Sequence, residues 1–188
     1  QAIYEASSKI REAYEDKGYI LSQIEPQSVL NPETKKIDVV YKIVENNVAT
    51  IERIDIKGNV RTKDKVIRRE LRVYPEERFD GKKVRKSKER LENLGFFEEI
   101  RIETEPGSEP NNIDLVFDVK EAKTGYMSFG GGYSSINEFV GFAELRQRNF
   151  DYANWQTFTG AGQDLSLYAS FGTLTSQYQL SFTNPWIF

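Results

Sequence analysis

The chain contains no cysteine and no histidine. That removes disulfides, thiolate metal sites, cysteine nucleophiles and imidazole general bases together. Two close carboxylate pairs remain, Glu98/Glu99 and Glu103/Glu105, without the basic or metal-binding company an acid–base site needs. Gly130-Gly131-Gly132 lacks the spacing and the following helix of a phosphate loop. The basic run Lys82, Lys83, Arg85, Lys86, Lys88, Arg90 carries acids in i,i+4 register, Arg85 to Glu89 and Lys88 to Glu92, and reads first as a solvated helix face. A net charge of −3 over 188 residues gives no bulk attraction for nucleic acid. The expectation is a protein that is not an enzyme, holds no cofactor or metal, binds no nucleic acid and works through its architecture.

The elements that would carry such work differ sharply along the chain. Residues 1–122 hold 23 basic, 25 acidic and 9 aromatic residues; residues 123–188 hold 3, 4 and 15. A charged, ordinary region therefore joins an aromatic, glycine-rich one suited to strands that face something other than water. No apolar run reaches 18 residues, so no membrane-spanning helix is expected. No secretory signal opens the chain: Gln1 leads directly into a helical pattern, as in a piece of a longer protein.

The charged region repeats. Ile37–Glu45 matches Ile113–Glu121 at an offset of 76, and Gly18-Tyr19-Ile20 matches Gly95-Phe96-Phe97 at 77. In the fuller copy, Thr50–Ile56 alternates as a strand with an irregular phase, since Ile51 is followed by Ile54 and Ile56. Thr62 is placed to cap a helix through Leu71. A second helix follows Asp80, with Phe79 and Val84 as a staple, Val84, Leu91 and Leu94 as its stripe, and Gly95 as its left-handed stop. Strands are expected at 96–105 and 112–120, giving the order β-α-α-β-β. The first copy starts inside its second helix, with Ile3, Ile10 and Tyr14 as the buried stripe.

The aromatic region alternates with a period of two. Met127, Phe129 and Tyr133 share one face; so do Phe139, Gly141, Ala143 and Leu145; Leu165, Leu167, Ala169 and Phe171; and Tyr178, Leu180, Phe182 and Trp186. The opposite positions include Glu144, Arg146 and Arg148, as a polar lumen would. Four segments of about ten residues suit either a transmembrane β-barrel or a soluble sheet with one buried face. Uncharged apolar faces and aromatics at strand ends (Tyr126, Trp186, Phe188) favour the barrel. Four strands cannot close one, so most of its wall is expected elsewhere.

Specific motifs stand on this frame. Ile56-Lys57-Gly58-Asn59, Thr62–Leu71 and Glu89–Glu98 resemble the last POTRA domain of the BamA family of outer-membrane assembly factors. Glu121 and Thr124-Gly125 resemble that family's junction into its barrel, and Gly130–Ser135 its first barrel strand. Arg148-Asn149-Phe150, Gly162–Leu167 and Leu180–Trp186 resemble the next three. The link Asp151–Thr159 departs from the family by replacing a tight turn with a longer segment.

The resemblance implies an α+β fold: part of a POTRA domain at 1–46, a complete one at 47–122, and the first four strands of a 16-stranded barrel at 123–188. It implies the bacterial outer membrane with periplasmic POTRA domains. The implied partners are unfolded β-barrel proteins, outer-membrane lipids and accessory periplasmic lipoproteins, for which the basic run is a secondary candidate. It also makes the strand after the second helix an open edge, here Glu98, Glu99, Ile100, Arg101, Ile102 and Glu103, with Ile20–Glu25 in the partial copy. Such an edge can pair with an extended client through its backbone, or stay protected by its charges. Met127, Phe129, Gly130, Gly131, Gly132 and Tyr133 form a glycine-weakened strand, either a lateral gate or a kink for curvature and close packing. A related polypeptide exporter or translocation factor, a lipase-fused relative and a plain soluble scaffold are the competing functions.

Overall fold

The computed structural model describes residues 2–32, 35–135 and 138–186. The elements run α1 (Ala2–Glu15), β1 (Gln23–Asn31), β2 (Lys36–Val44), β3 (Thr50–Lys57), α2 (Asp64–Arg68), α3 (Gly81–Leu94), β4 (Phe97–Pro106) and β5 (Asn112–Glu121). They end with β6 (Gly125–Ser134), β7 (Glu138–Phe150), β8 (Gln163–Gly172) and β9 (Ser176–Thr183). Three sheets result, with strand orders β1-β2, β3-β5-β4 and β6-β7-β8-β9. Helices and mixed sheets make the fold α+β. The chain divides into two compact units, one of residues 1–57, 71–90 and 101–118, the other of 58–70, 91–100 and 119–188.

In the first unit β3 runs parallel to β5, and their register shifts between Ile51 and Arg53. That bulge is the irregular phase in the sequence: it returns Ile54 to the buried side with Ile51. Helix α3 starts where Asp80 Oδ1 accepts the amides of Lys82 and Lys83 at 2.9 and 3.2 Å. Phe79, Val84 and Leu91 are buried, and Gly95 ends the helix at φ +67°. Gly18 does the same after α1 at φ +88°, where the Tyr14 and Tyr19 rings meet edge-on at 6.0 Å.

Three expectations fail in the charged region. Thr62 caps no helix: α2 has five residues, begins after Lys63 and has no side-chain cap. The Thr62 hydroxyl is bonded elsewhere, as described below. The stripe on α1 is thinly covered, with Ile3 40% exposed and Ile10 and Tyr14 half-buried. Its edge strand begins at Gln23 rather than Ile20, residues 19–22 being a turn closed by Ser22 N–H to the Tyr19 carbonyl at 3.2 Å.

In the second unit β6–β9 form an antiparallel meander. The registers place Met127 opposite Leu145, Leu145 opposite Leu167 and Leu167 opposite Leu180. Cross-strand partners lie on the same face, so the apolar positions of all four strands join into one surface. The other face carries Arg146, which grips Asp164 with a fork at 2.9–3.2 Å, and Glu144, which accepts from the Tyr126 hydroxyl at 3.2 Å. Arg148 lies instead at an irregular stretch of β7, its guanidinium beside Gly95. Strand β9 ends at Thr183, so Trp186 stands beyond it; Phe188 lies outside the described residues.

Candidate functional site

The first candidate surface is β4. It is hydrogen-bonded to β5 on one side and has no strand neighbour on the other among the described residues. Ile100 is buried; Glu98, Glu99, Arg101 and Glu103 are exposed and Ile102 is half-buried. The Glu98 carboxylate meets Lys120 of β5 at 3.0 Å, an exposed pair that holds β4 to its inner neighbour and adds little stability. The outer row of backbone donors and acceptors runs past charged, water-facing side chains.

The second is β6, at an edge of the four-stranded sheet. Its ladder with β7 is unbroken from Gly125 to Ser134. Its glycines are not equivalent. A Cβ on Gly130 would strike the Phe142 ring, 2.7 Å away, which stacks on Tyr168 at 6.2 Å. Gly131 lies against the Val140 carbonyl, whereas Gly132 faces open space. Close packing explains Gly130; it does not explain Gly132. Met127, Phe129 and Tyr133 are each at least 70% exposed on the apolar face.

The third is the junction. The Glu121 carboxylate accepts the Arg61 amide at 3.0 Å and the Thr62 amide at 2.6 Å. The Thr124 carbonyl accepts the Arg148 amide, and its hydroxyl accepts from Gln147 Nε2, both at 2.9 Å. Gly125 leaves the space that the Gln147 side chain fills. Beneath them lies a buried polar cluster. Asn149, at φ +55°, donates from Nδ2 to Thr62 Oγ1 at 2.8 Å and accepts the Gly162 amide on Oδ1 at 2.8 Å. The Gly160 carbonyl accepts the Lys63 amide at 2.9 Å, and Lys63 Nζ pairs with the buried Asp151 carboxylate at 2.5 Å. Gly162 admits the Arg69 guanidinium, which lies 5.0 Å over the Trp186 ring. Burial lowers the Arg69 pKa, and the neighbouring Glu70 works against that shift.

Among the described residues no group of three metal-ligating side chains occurs. Part of the basic run of α3 is held in ion pairs: Arg85 reaches Asp16 at 2.5 Å and Glu12 at 3.2 Å rather than Glu89, and Lys83 reaches Glu77 at 2.8 Å.

Residues 1–46 and 49–122 match the POTRA model, described as a surface antigen variable number repeat. The chain belongs to the POTRA family. It is 33% identical over 172 residues to the outer membrane protein assembly factor BamA of Nitratidesulfovibrio vulgaris, covering 92% of this chain and 21% of that protein. It is 34% identical over 170 residues to BamA of Neisseria meningitidis, covering 90% and 20%. Its fold is similar to the crystal structure of Haemophilus ducreyi BamA lacking POTRA domains 1–3, with a TM-score of 0.83 and 25% identity over all of this chain and 34% of that one. The chain thus spans about a fifth of the BamA relatives it matches. The resemblance read from the motifs is borne out. So is the location, the outer membrane with POTRA domains on the periplasmic side.

The second POTRA segment ends one residue after Glu121, so the Glu121 carboxylate turns back onto the 61–62 loop of its own segment. The bonds from Asn149, Asp151 and Gly160 then tie that loop to the connection between β7 and β8. Sequence reading missed Lys63, Asn149 and Asp151 as a group. Asn149 and its partner Gly162 stand inside the motifs, but Thr62, which accepts from Asn149, lies 87 residues away and reads locally as a helix cap.

Proposed function

We propose that the chain is part of a non-catalytic outer-membrane assembly factor that folds and inserts β-barrel proteins. In this reading 1–46 and 47–122 are POTRA domains, the first incomplete, and 123–188 are the opening strands of the barrel. One observation carries it: a four-stranded sheet with a continuous uncovered apolar face follows directly on a POTRA segment with an open strand edge. A water-soluble domain would cover such a face; lipid covers it without further protein. Clients are unfolded β-barrel proteins, which differ in side chains and share a backbone. Pairing along Glu98–Glu103 needs only the backbone. The strand from Met127 to Tyr133, weakened by its glycines, is the side of the barrel that parts toward lipid and toward an incoming strand. Accessory lipoproteins and lipids are further partners of this reading.

The test uses the full-length protein in cells depleted of their own copy. Proline pairs at Glu99 and Arg101, and separately at Ile100 and Ile102, sample the two sets of β4 amides. One set strips bonds to β5; the other strips only outward donors. Loss of barrel-protein assembly from the outward set, with normal POTRA folding, supports strand pairing. Full assembly with both sets rejects it. A disulfide from Ser128→Cys to the closing barrel strand should stop assembly until reduced; assembly unaffected by the tether rejects the gate. Restored secretion of a single polypeptide, with barrel assembly absent, would point to an exporter.

A further inference from the structure

The apolar face does not stop where the strands end. The register shift between Gln147 and Phe150 changes the phase of β7, so that Phe150 pairs with Gln163. The Phe150 ring therefore meets Phe182 of the apolar face edge-on at 6.3 Å. Phe158 stacks on Phe150, 6.1 Å between centroids and 8° between planes. Between these two rings the chain makes a closed loop. The Asp151 amide donates to the Phe158 carbonyl at 3.0 Å and the Phe158 amide to the Asn154 carbonyl at 2.7 Å. Asp151 Oδ1 accepts the Ala153 amide at 3.1 Å, while the same carboxylate holds Lys63. The base of the loop is thus fixed. Its tip displays Tyr152 and Trp155, 70% and 75% exposed.

We propose that loop 151–158 is an interfacial anchor, with Tyr152 and Trp155 seated in the headgroup layer of the periplasmic leaflet. Tyrosine and tryptophan each join an apolar ring to a polar edge, the combination that settles where hydrocarbon meets water. The position agrees: Gly125, Gln163 and Thr183 lie at the same end of the sheet, the end that adjoins the POTRA segment, and the loop continues the apolar face through Phe150 and Phe158. Because Asp151 and Gly160 hold Lys63, the anchor also ties the 58–70 segment to the membrane surface. The inference rests on the apolar face being lipid-facing, and its test separates the two.

The full-length protein is reconstituted in vesicles of phosphatidylethanolamine and phosphatidylglycerol. A nitroxide is placed at Gln156→Cys in the loop, at Leu180→Cys on the apolar face, or at Lys86→Cys on exposed α3 as the aqueous reference. Collision with oxygen and with a water-soluble nickel chelate reports depth. A Gln156 label intermediate between the other two, its oxygen-to-nickel ratio several-fold above the Lys86 value, supports the anchor. Tyr152→Ser with Trp155→Ser should then return that label to the aqueous reading without moving Leu180. A Gln156 label as aqueous as Lys86, with Leu180 in hydrocarbon, overturns the anchor alone. A label shielded from both reagents overturns it in favour of a protein neighbour. An aqueous Leu180 label overturns the lipid-facing reading and the anchor together.

Discussion

The Asp151–Lys63 pair is asymmetric: the aspartate side chain is 2% exposed and the lysine 43%. Removing the lysine strands a buried carboxylate with the Ala153 amide, whereas Asp151→Asn leaves a neutral group in its place. Lys63→Met should therefore cost more than Asp151→Asn, about 1–3 kcal/mol against about 1 kcal/mol, discounted for the solvent around Lys63. Denaturant midpoints of the folded protein, and hydrogen exchange at Gly160, check the order. A different carboxylate sets a pH dependence. The Ser108 amide and hydroxyl both donate to Glu52, at 2.8 Å each, and hold its pKa below the ordinary 4.5. A depressed carboxylate stabilises the fold above its unfolded pKa and loses that contribution as pH falls through the folded value. Exchange at the Ser108 amide, corrected for its intrinsic rate, should accelerate as pH is lowered below 4.5, and Glu52→Gln should remove that dependence.

At the scale of the element, β6 separates two reasons for glycine. Gly132 has no atom within 4 Å of a would-be Cβ, and Gly130 has the Phe142 ring at 2.7 Å. Gly132→Thr should strengthen the β6–β7 ladder by roughly 0.5–1 kcal/mol, and Gly130→Thr should weaken it by displacing Phe142 from Tyr168. Denaturant or thermal midpoints of the folded full-length protein measure both. If the weak strand is the gate, Gly132→Thr also slows client assembly, an effect opposite in sign to its effect on stability. A strand that merely curves there would gain stability without losing rate. The alternation of β6–β9 was legible because a strand sends successive side chains to opposite faces. The bulge before Phe150 was not, because it depends on Asn149 being pulled into the left-handed region by Thr62 and Gly162.

For the whole molecule, the decisive matter is what covers the apolar face. Leu167 and Ser166 are neighbours in mid-β8 on opposite faces, paired with Leu145 and Arg146 of β7. In the full-length protein in a bilayer, Leu167→Arg should destabilise by about 2–4 kcal/mol, the cost of a guanidinium near the midplane. Ser166→Glu should be tolerated, since it places a charge on the polar face directly opposite Arg146. Urea titration of the vesicle-embedded protein reads the difference; equal costs on both faces would contradict lipid contact.

What the residues determined by themselves was most of what has a short period or a local stop. The β-α-α-β-β order, the helix ends at Gly18 and Gly95, the cap at Asp80 and the two-faced strands all follow from bonds within a few residues of each other. Their free energies are local and can be read from a window of the chain. What only the tertiary structure decided was where isolated polar groups went. Thr62 could bond to its own following turn or to Asn149, Asp151 could cap its loop alone or also hold Lys63, and Arg85 could face Glu89 or Asp16. In each case the local and distant partners compete at similar strength, because exchanging one hydrogen bond for another changes little. The choice then falls to whichever partner packing has already brought within reach and shielded from water.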